Sequence, residues 1–402
     1  MHGCTTGDDR VMRRSSALLL ALAILLAACS GAPSASVSAP ARSAVAPDLP
    51  ATSDASPAAE QVSLLPPEGQ AWFGMNLDWG STTVAEVSER LGATPGAWVQ
   101  FVAFPLDDAG RSNLESFYEQ VGSVGGVAVV TLEPHDGLGS VTEASAAELA
   151  TLLDDAWRRH GTPTLVRFAH EMNGSWYPWG QQPRAYIDAF RIMADAVHAA
   201  APASAMVWAP NEGSGYPFAG GAHEAEAGTE EAAALDTNGD GALSTADDPY
   251  APYWPGDDAV DWVGMSLYFW GLEHPWGENE IAPASRFADL LTGALQGGLP
   301  NFAATYADAK EKPLAIIETA ALFDPAAGGP GEGELKRAWF EQVLGQATRD
   351  AFPSLAMVNW FEWRKDEREV GAEIDWRLTS DPELARDLLA SVPDGWLRFA
   401  GE

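Results

Sequence analysis

Cysteine is nearly absent from this chain of 402 residues: there are two, Cys4 and Cys29, and none follows position 29. No disulfide can staple what comes after, so that part must rely on a full-sized hydrophobic core. Basic residues are also scarce, with 23 Lys and Arg against 57 Asp and Glu, a formal net charge of −34. Such a surface repels nucleic acid and anionic polymers and excludes both as partners, while a neutral polymer meets no such barrier. Long apolar runs are missing too. Leu18–Ala28 is continuous but too short to span a bilayer.

What is present at the N-terminus reads as targeting. Arg13 and Arg14 form a basic region, Leu18–Ala28 an apolar one, and Leu26-Ala27-Ala28-Cys29-Ser30 resembles a bacterial lipobox. Residues 1–29 are therefore expected to be a lipoprotein signal peptide, with Met12 as an alternative start and Cys29 as the lipidated residue. The product would be exported and lipid-anchored at the bacterial cell surface or envelope, touching the membrane only through that anchor. Residues 30–67 are rich in Ala, Ser and Pro and form a flexible tether. Residues 68–402 have the length of one large α/β barrel, expected to act as a monomer.

Eight apolar runs alternate with helical patterns: 72–77, 98–104, 126–132, 164–169, 205–209, 260–267, 314–317 and 355–360. Amphipathic stretches at 147–160, 183–200 and 334–348 lie between them. Continuous apolar strands alternating with helices imply a parallel sheet buried on both faces, and eight of them a (β/α)8 TIM barrel. Chemistry in that fold collects at the C-terminal strand ends. Asn76, Asp78-Trp79, Glu133, His135-Asp136, His170-Glu171, Asn173, Trp208, Asn211-Glu212, Tyr268, Trp270, Glu318, Trp360, Glu362 and Trp363 fall there. A ring of carboxylates, amides and indoles suits sugars, whose C–H faces stack on indole and whose glycosidic oxygen needs a proton to leave. Among the 16 Trp, those after strands look like binding surface, whereas Trp72 and Trp262 read as core.

The stretch Arg167…His170-Glu171-Met172-Asn173-Gly174…Trp176 resembles the acid/base motif of glycoside hydrolase family 26, a family of retaining barrel glycosidases. Pro313-Leu314-Ala315-Ile316-Ile317-Glu318-Thr319-Ala320 resembles its nucleophile strand. Two further stretches are similar, 207–212 and 253–264, so the likeness covers most of residues 70–365. It implies Glu171 as general acid/base, Glu318 as nucleophile and His170 as a sugar contact or pKa-setting neighbour. Trp176, Trp208 and Trp360 would stack on sugars, and Tyr268 would orient the nucleophile. Asn173, Trp179, Asn211 and His135 complete the expected substrate-binding set. Glu212 competes for the acid role, but it follows strand five and reads as a subsite or structural residue. Arg167 reads as a brace beneath the site. The implied reaction is endo-cleavage of a β-linked neutral polysaccharide, β-1,4-mannan first and mixed-linkage glucan or xylan next, with no catalytic cofactor.

Residues 236–247 follow EF-hand spacing. Asp236, Asn238, Asp240, the Ala242 carbonyl, Ser244 and Asp247 stand at ligand positions, with Gly241 at the turn. A structural Ca2+ in a loop inserted between strands five and six is the expectation. Two other function classes remain open from sequence. One is a non-hydrolytic polysaccharide-binding lipoprotein, which needs the indoles but no paired Glu318. The other is a calcium-dependent surface interaction module, in which the 236–247 loop would dominate.

Overall fold

The computed structural model describes residues 64–402. The expected signal peptide, Cys29 and all but the last residues of the expected tether lie outside the described residues. Eight parallel strands close on themselves in sequence order: β1 (Ala71–Leu77), β2 (Ala97–Ala103), β3 (Val127–Glu133), β4 (Thr164–Phe168), β5 (Ser204–Trp208), β6 (Trp262–Ser266), β7 (Leu314–Thr319) and β8 (Leu355–Glu362), with β8 pairing back to β1. All eight expected strands are present, and the fold is a (β/α)8 barrel.

Helices cover the outside because their sequences carry both an apolar face and end signals. In α1 (Val84–Leu91), Thr83 and Glu86 form a reciprocal cap, and Gly92 ends the helix at φ 75°. The other outer helices are α2 (Asp108–Ser123), α3 (Glu143–His160) and α4 (Pro183–Ala200). Helix α3 buries Ala146, Leu149, Ala150, Leu153 and Ala156, a three–four spacing that faces one side to the barrel. Truncating Leu153 there would cost about 2–5 kcal/mol. Proline opens α4, where its missing N–H is no loss.

Strand parity sorts the core into two layers. Val99, Val129, Leu165, Val207, Ala315 and Met357 fill the barrel interior. Trp98, Val130, Val166, Trp208, Ile316 and Trp360 point outward and pack under the helices.

The fifth connection departs from strict alternation. Residues 209–261 carry the short α5 (Glu230–Leu235) and a 3-10 turn, Ala251–Tyr253, in place of a full outer helix. The remaining α-helices are α6 (Arg286–Leu291), α7 (Glu332–Leu344), α8 (Gln346–Ala351) and α9 (Pro382–Ala390). After β8 comes an antiparallel hairpin, β9 (Arg364–Glu367) with β10 (Ala372–Asp375), that was not expected. Strand β9 reads Arg-Lys-Asp-Glu, so there was no apolar alternation to see.

Candidate active site

The barrel mouth is built from the last inward-facing residue of several strands. Arg167 on β4 is 0% exposed. Its Nη1 donates to Glu318 and its Nη2 to the Ser266 hydroxyl at 2.5 Å. Ser266, at the end of β6, in turn hydrogen-bonds the Glu171 side chain. One guanidinium thus ties both glutamates to the barrel wall.

Glu318 reaches this position through a register break. Along β7, Ala315 and Ile317 face inward, so simple alternation would turn Glu318 outward. The pairing with β6 skips a residue between Met265↔Ile316 and Ser266↔Glu318, and the pairing with β8 shifts in the same stretch. Such a bulge re-aims a side chain. The Glu318 carboxylate is 5% exposed and also accepts the Tyr268 hydroxyl at 2.6 Å.

Glu171 follows β4 in strained backbone: Ala169 and Glu171 adopt φ of 44° and 53° on either side of His170. Its Oε2 accepts the Trp176 indole N–H at 2.9 Å. A sliver of the side chain meets solvent, but the carboxyl lies among dense protein atoms. Burial first, and then the Glu318 charge, push its pKa up to about 7, against the lowering pull of Arg167. One ligand atom from each of His170, Glu171 and Glu318 lies within 4.8 Å of the others, a donor set able to hold a cation. The Arg167 charge on Glu318 already neutralises that carboxylate and disfavours a second positive charge.

His170 is 1% exposed, with its ring 4.9 Å from Tyr177, 5.4 Å from Phe101 and 5.7 Å from Trp179. Burial, then the Arg167 charge, hold its pKa well below the ordinary value, so the imidazole is neutral. Glu133, at the end of β3, sits 3.5 Å from His135 and has its pKa raised by burial. The His135 ring lies 5.5 Å from Trp179 and is half exposed.

Several expected contacts need correcting. Trp208 and Trp360 are 0% exposed and face outward from the barrel. The Trp208 indole donates to the Tyr253 carbonyl and packs on Phe302, while that of Trp360 donates to the Trp376 carbonyl. Neither can stack on a ligand. Trp179 is also fully buried, bonded to the His170 carbonyl at 2.7 Å and stacked on Tyr177 at 4.5 Å. Asn173, 0% exposed, uses both ends of its amide on the Asn211 backbone, at 2.9 and 2.8 Å. It pins the loop after β5 to the loop after β4, so a substrate hydroxyl finds no free amide there. Asn211 itself is partly exposed at the mouth.

Trp176, 36% exposed, and the partly exposed Trp363 are indoles that do reach the mouth. Trp363 stacks on Phe361 at an interplanar angle of 10° and donates to Asn76 on β1 at 3.3 Å. Its place after β8 marked it, but parity was needed to prefer it to Trp360. Tyr177 and Ser266 carried no sequence signal beyond nearness to the motif. Glu212 caps Ser214 through its backbone N–H at 2.8 Å and its hydroxyl at 2.7 Å, with its pKa raised to about 7 by burial. Glu362 accepts the backbone N–H groups of Leu378 and Thr379 and anchors the segment after the hairpin.

In the 236–247 loop, the Asp236 carboxylate accepts the N–H groups of Gly239, Asp240 and Gly241. Asp247, 1% exposed, accepts those of Thr237, Asn238 and Ser244. Asn238 and Asp240 turn back on the amides of Asp240 and Ala242. The acidic groups thus brace the loop's own backbone and are not drawn into one tight cluster.

No family model matches the chain. Endoglucanase H of Acetivibrio thermocellus is 24% identical over 321 residues, which is 78% of this chain and 29% of that protein. The chain therefore spans under a third of that relative's length. An endo-beta-1,4-mannanase double mutant from Cellulomonas fimi superposes with a TM-score of 0.53 at 18% identity, over 83% of this chain and 73% of that one. The catalytic domain of the Bacillus sp. JAMB-750 GH26 endo-beta-1,4-mannanase gives 0.52 at 16% identity, over 82% and 87%. The chain shares the barrel fold of these two mannanases.

Proposed function

We propose that the protein is a retaining, endo-acting glycoside hydrolase that cleaves a β-linked neutral polysaccharide, with β-1,4-mannan as its substrate. One observation carries the reading: one carboxylate oxygen of Glu171 lies within 4.8 Å of one of Glu318. Retention requires carboxyl groups about 5–5.5 Å apart, whereas inversion needs about 6.5–9.5 Å to admit a water.

The two environments divide the labour. Glu318, paired with Arg167 and oriented by the Tyr268 hydroxyl, attacks the anomeric carbon as the glycosidic bond breaks. Glu171, kept protonated by burial, gives its proton to the departing oxygen. It then takes a proton from the water that hydrolyses the glycosyl ester on Glu318, which regenerates both groups. Trp176 and Trp363 flank the mouth as sugar platforms, with His170, His135 and Asn211 near the bound ring. The mannanase likeness and the endoglucanase relative support a β-1,4-glycan. Mixed-linkage glucan and xylan are the substrates to set beside mannan.

The same reading has the protein exported and lipidated at Cys29, and acting as a monomer. Among the described residues no helix is long and apolar enough to cross a membrane. A structural Ca2+ held by Asp236, Asn238, Asp240, Ala242, Ser244 and Asp247 would steady the insertion after β5; it supplies no chemistry.

The test is reducing-end release by the purified protein on galactomannan, glucomannan, mixed-linkage glucan and xylan, with Glu171→Ala as the blank. Cleavage of mannan that vanishes in the variant supports the reading. Retained polymer binding with no cleavage of any of the four would move the protein to the non-hydrolytic class.

A further inference from the structure

The insertion after β5 is clamped onto the loop that carries Glu171. The Ser175 hydroxyl donates to the Phe218 carbonyl at 2.5 Å, and the His223 N–H donates to the Ser175 carbonyl at 2.8 Å. Gln181, at the far end of the same loop, donates to the Pro217 carbonyl at 2.7 Å and accepts the Ala225 N–H at 2.8 Å. The contact is close enough to require glycine: a Cβ on Gly221 would stand 2.0 Å from the Ser175 hydroxyl oxygen and 2.5 Å from its carbonyl. Phe218 holds a left-handed backbone, φ 57°, with its ring edge-on to Trp176 at 5.1 Å and to Tyr216 at 5.8 Å. Trp176 in turn donates its indole N–H to Glu171.

We propose that Phe218 is a positioning residue for the acid/base step: it fixes the Trp176 indole, and through it the orientation and desolvation of the Glu171 carboxyl. The inference rests on Glu171 being the general acid. The Trp176 indole otherwise rests on Gly174, where an added Cβ would stand 2.4 Å from its Cζ2. Trp176 is 36% exposed and meets Tyr177 only edge-on at 6.3 Å. An aromatic edge packed against an aromatic face adds attraction beyond area burial and favours one rotamer of the indole.

The groups facing Glu171 are Glu318 from β7, Arg167 from β4, Ser266 from β6 and Trp176 from its own loop. Tyr268 and Tyr177 lie against the same charges. Residues 213–222 bring no ionisable group except Tyr216, which is fully buried. Removing the Phe218 ring therefore changes no local charge. It admits water beside Glu171 and frees its indole donor. Burial is the dominant cause of the raised pKa, so lost burial outweighs the lost donor and the acid titrates lower.

The experiment compares the full chain with Phe218→Ala and Phe218→Tyr on galactomannan and on a dinitrophenyl β-mannobioside, reading kcat/KM against pH. The dinitrophenolate leaves without a proton, so its departure does not need Glu171 as acid. Phe218→Ala is expected to lose about tenfold or more on galactomannan, to lose activity at lower pH on the basic side, and to stay within about twofold of the parent on the aryl glycoside. Phe218→Tyr is expected to restore both. Gly221→Ala, which displaces the clamp by steric conflict, repeats the comparison should Phe218→Ala fold poorly. Equal losses on the two substrates, or an unmoved basic limb, would overturn the proposal. If Glu171→Ala still cleaves galactomannan, the underlying reading fails. If it does not, and Phe218→Ala matches the parent, only this inference fails.

Discussion

Arg167 and Glu318 form a buried ion pair that ties β4 to β7 across the barrel mouth, with the arginine 0% and the carboxylate 5% exposed. Burying both charges is tolerable only because each is paired and further hydrogen-bonded, Arg167 to Ser266 and Glu318 to Tyr268.

Breaking that pair from one side should be costly. Arg167→Met leaves Glu318 buried without its cation, and the expected loss is about 3–5 kcal/mol in a denaturant melt at neutral pH. Arg167→Lys keeps the charge but not the fork that reaches Ser266. It should unfold closer to the parent while still losing most of its kcat.

Glu171 should give the protein two linked pH dependences. Its folded pKa is about 7 against an ordinary 4.5. In its proposed role of general acid it works protonated, so kcat/KM should fall as pH rises through about 7. For stability, the folded state holds a proton that the unfolded chain has already lost between those values. The stability contribution is therefore full below pH 4.5 and lost as pH rises to about 7. Glu171→Gln removes that loss. It should be inactive, yet melt higher than the parent at pH 8 by up to about 3 kcal/mol and match it at pH 4.

The tryptophans after β8 should separate cleanly. Trp363→Ala is expected to raise KM while sparing the melting transition, since its indole lines the mouth. Trp360→Ala empties a buried outer-layer site beside Phe340 and should cost about 3–5 kcal/mol of stability with KM little changed.

The eight strands and the position of Glu171 were legible in the sequence because apolar period and motif spacing are local properties. Which indoles meet a ligand was not. Trp208 and Trp360 carry the right residue type at the right place, but they sit one residue off the inward parity, and that phase depends on pairing with neighbouring strands. Glu318 shows the converse, since a bulge against β6 turns it inward where alternation alone would turn it out. Asn173 looked like a sugar ligand because its partner, the Asn211 backbone, is distant in sequence.

Calcium should act on stability and not on chemistry. With the loop carboxylates braced on their own amides, adding Ca2+ to chelator-treated protein is expected to raise Tm by a few degrees, and Asp236→Ala should abolish that rise. Calorimetry with and without chelator checks it. A Tm unchanged by calcium would remove the ion from the account.

The most direct test is the anomeric configuration of the first product, followed by proton NMR as the enzyme cleaves a β-1,4-manno-oligosaccharide. One oxygen of each carboxyl lies within 4.8 Å of the other, the short spacing of a retaining pair, so the new reducing end should appear as the β-anomer and mutarotate afterwards. First appearance of the α-anomer would contradict the assignment of Glu318 as nucleophile and Glu171 as acid/base.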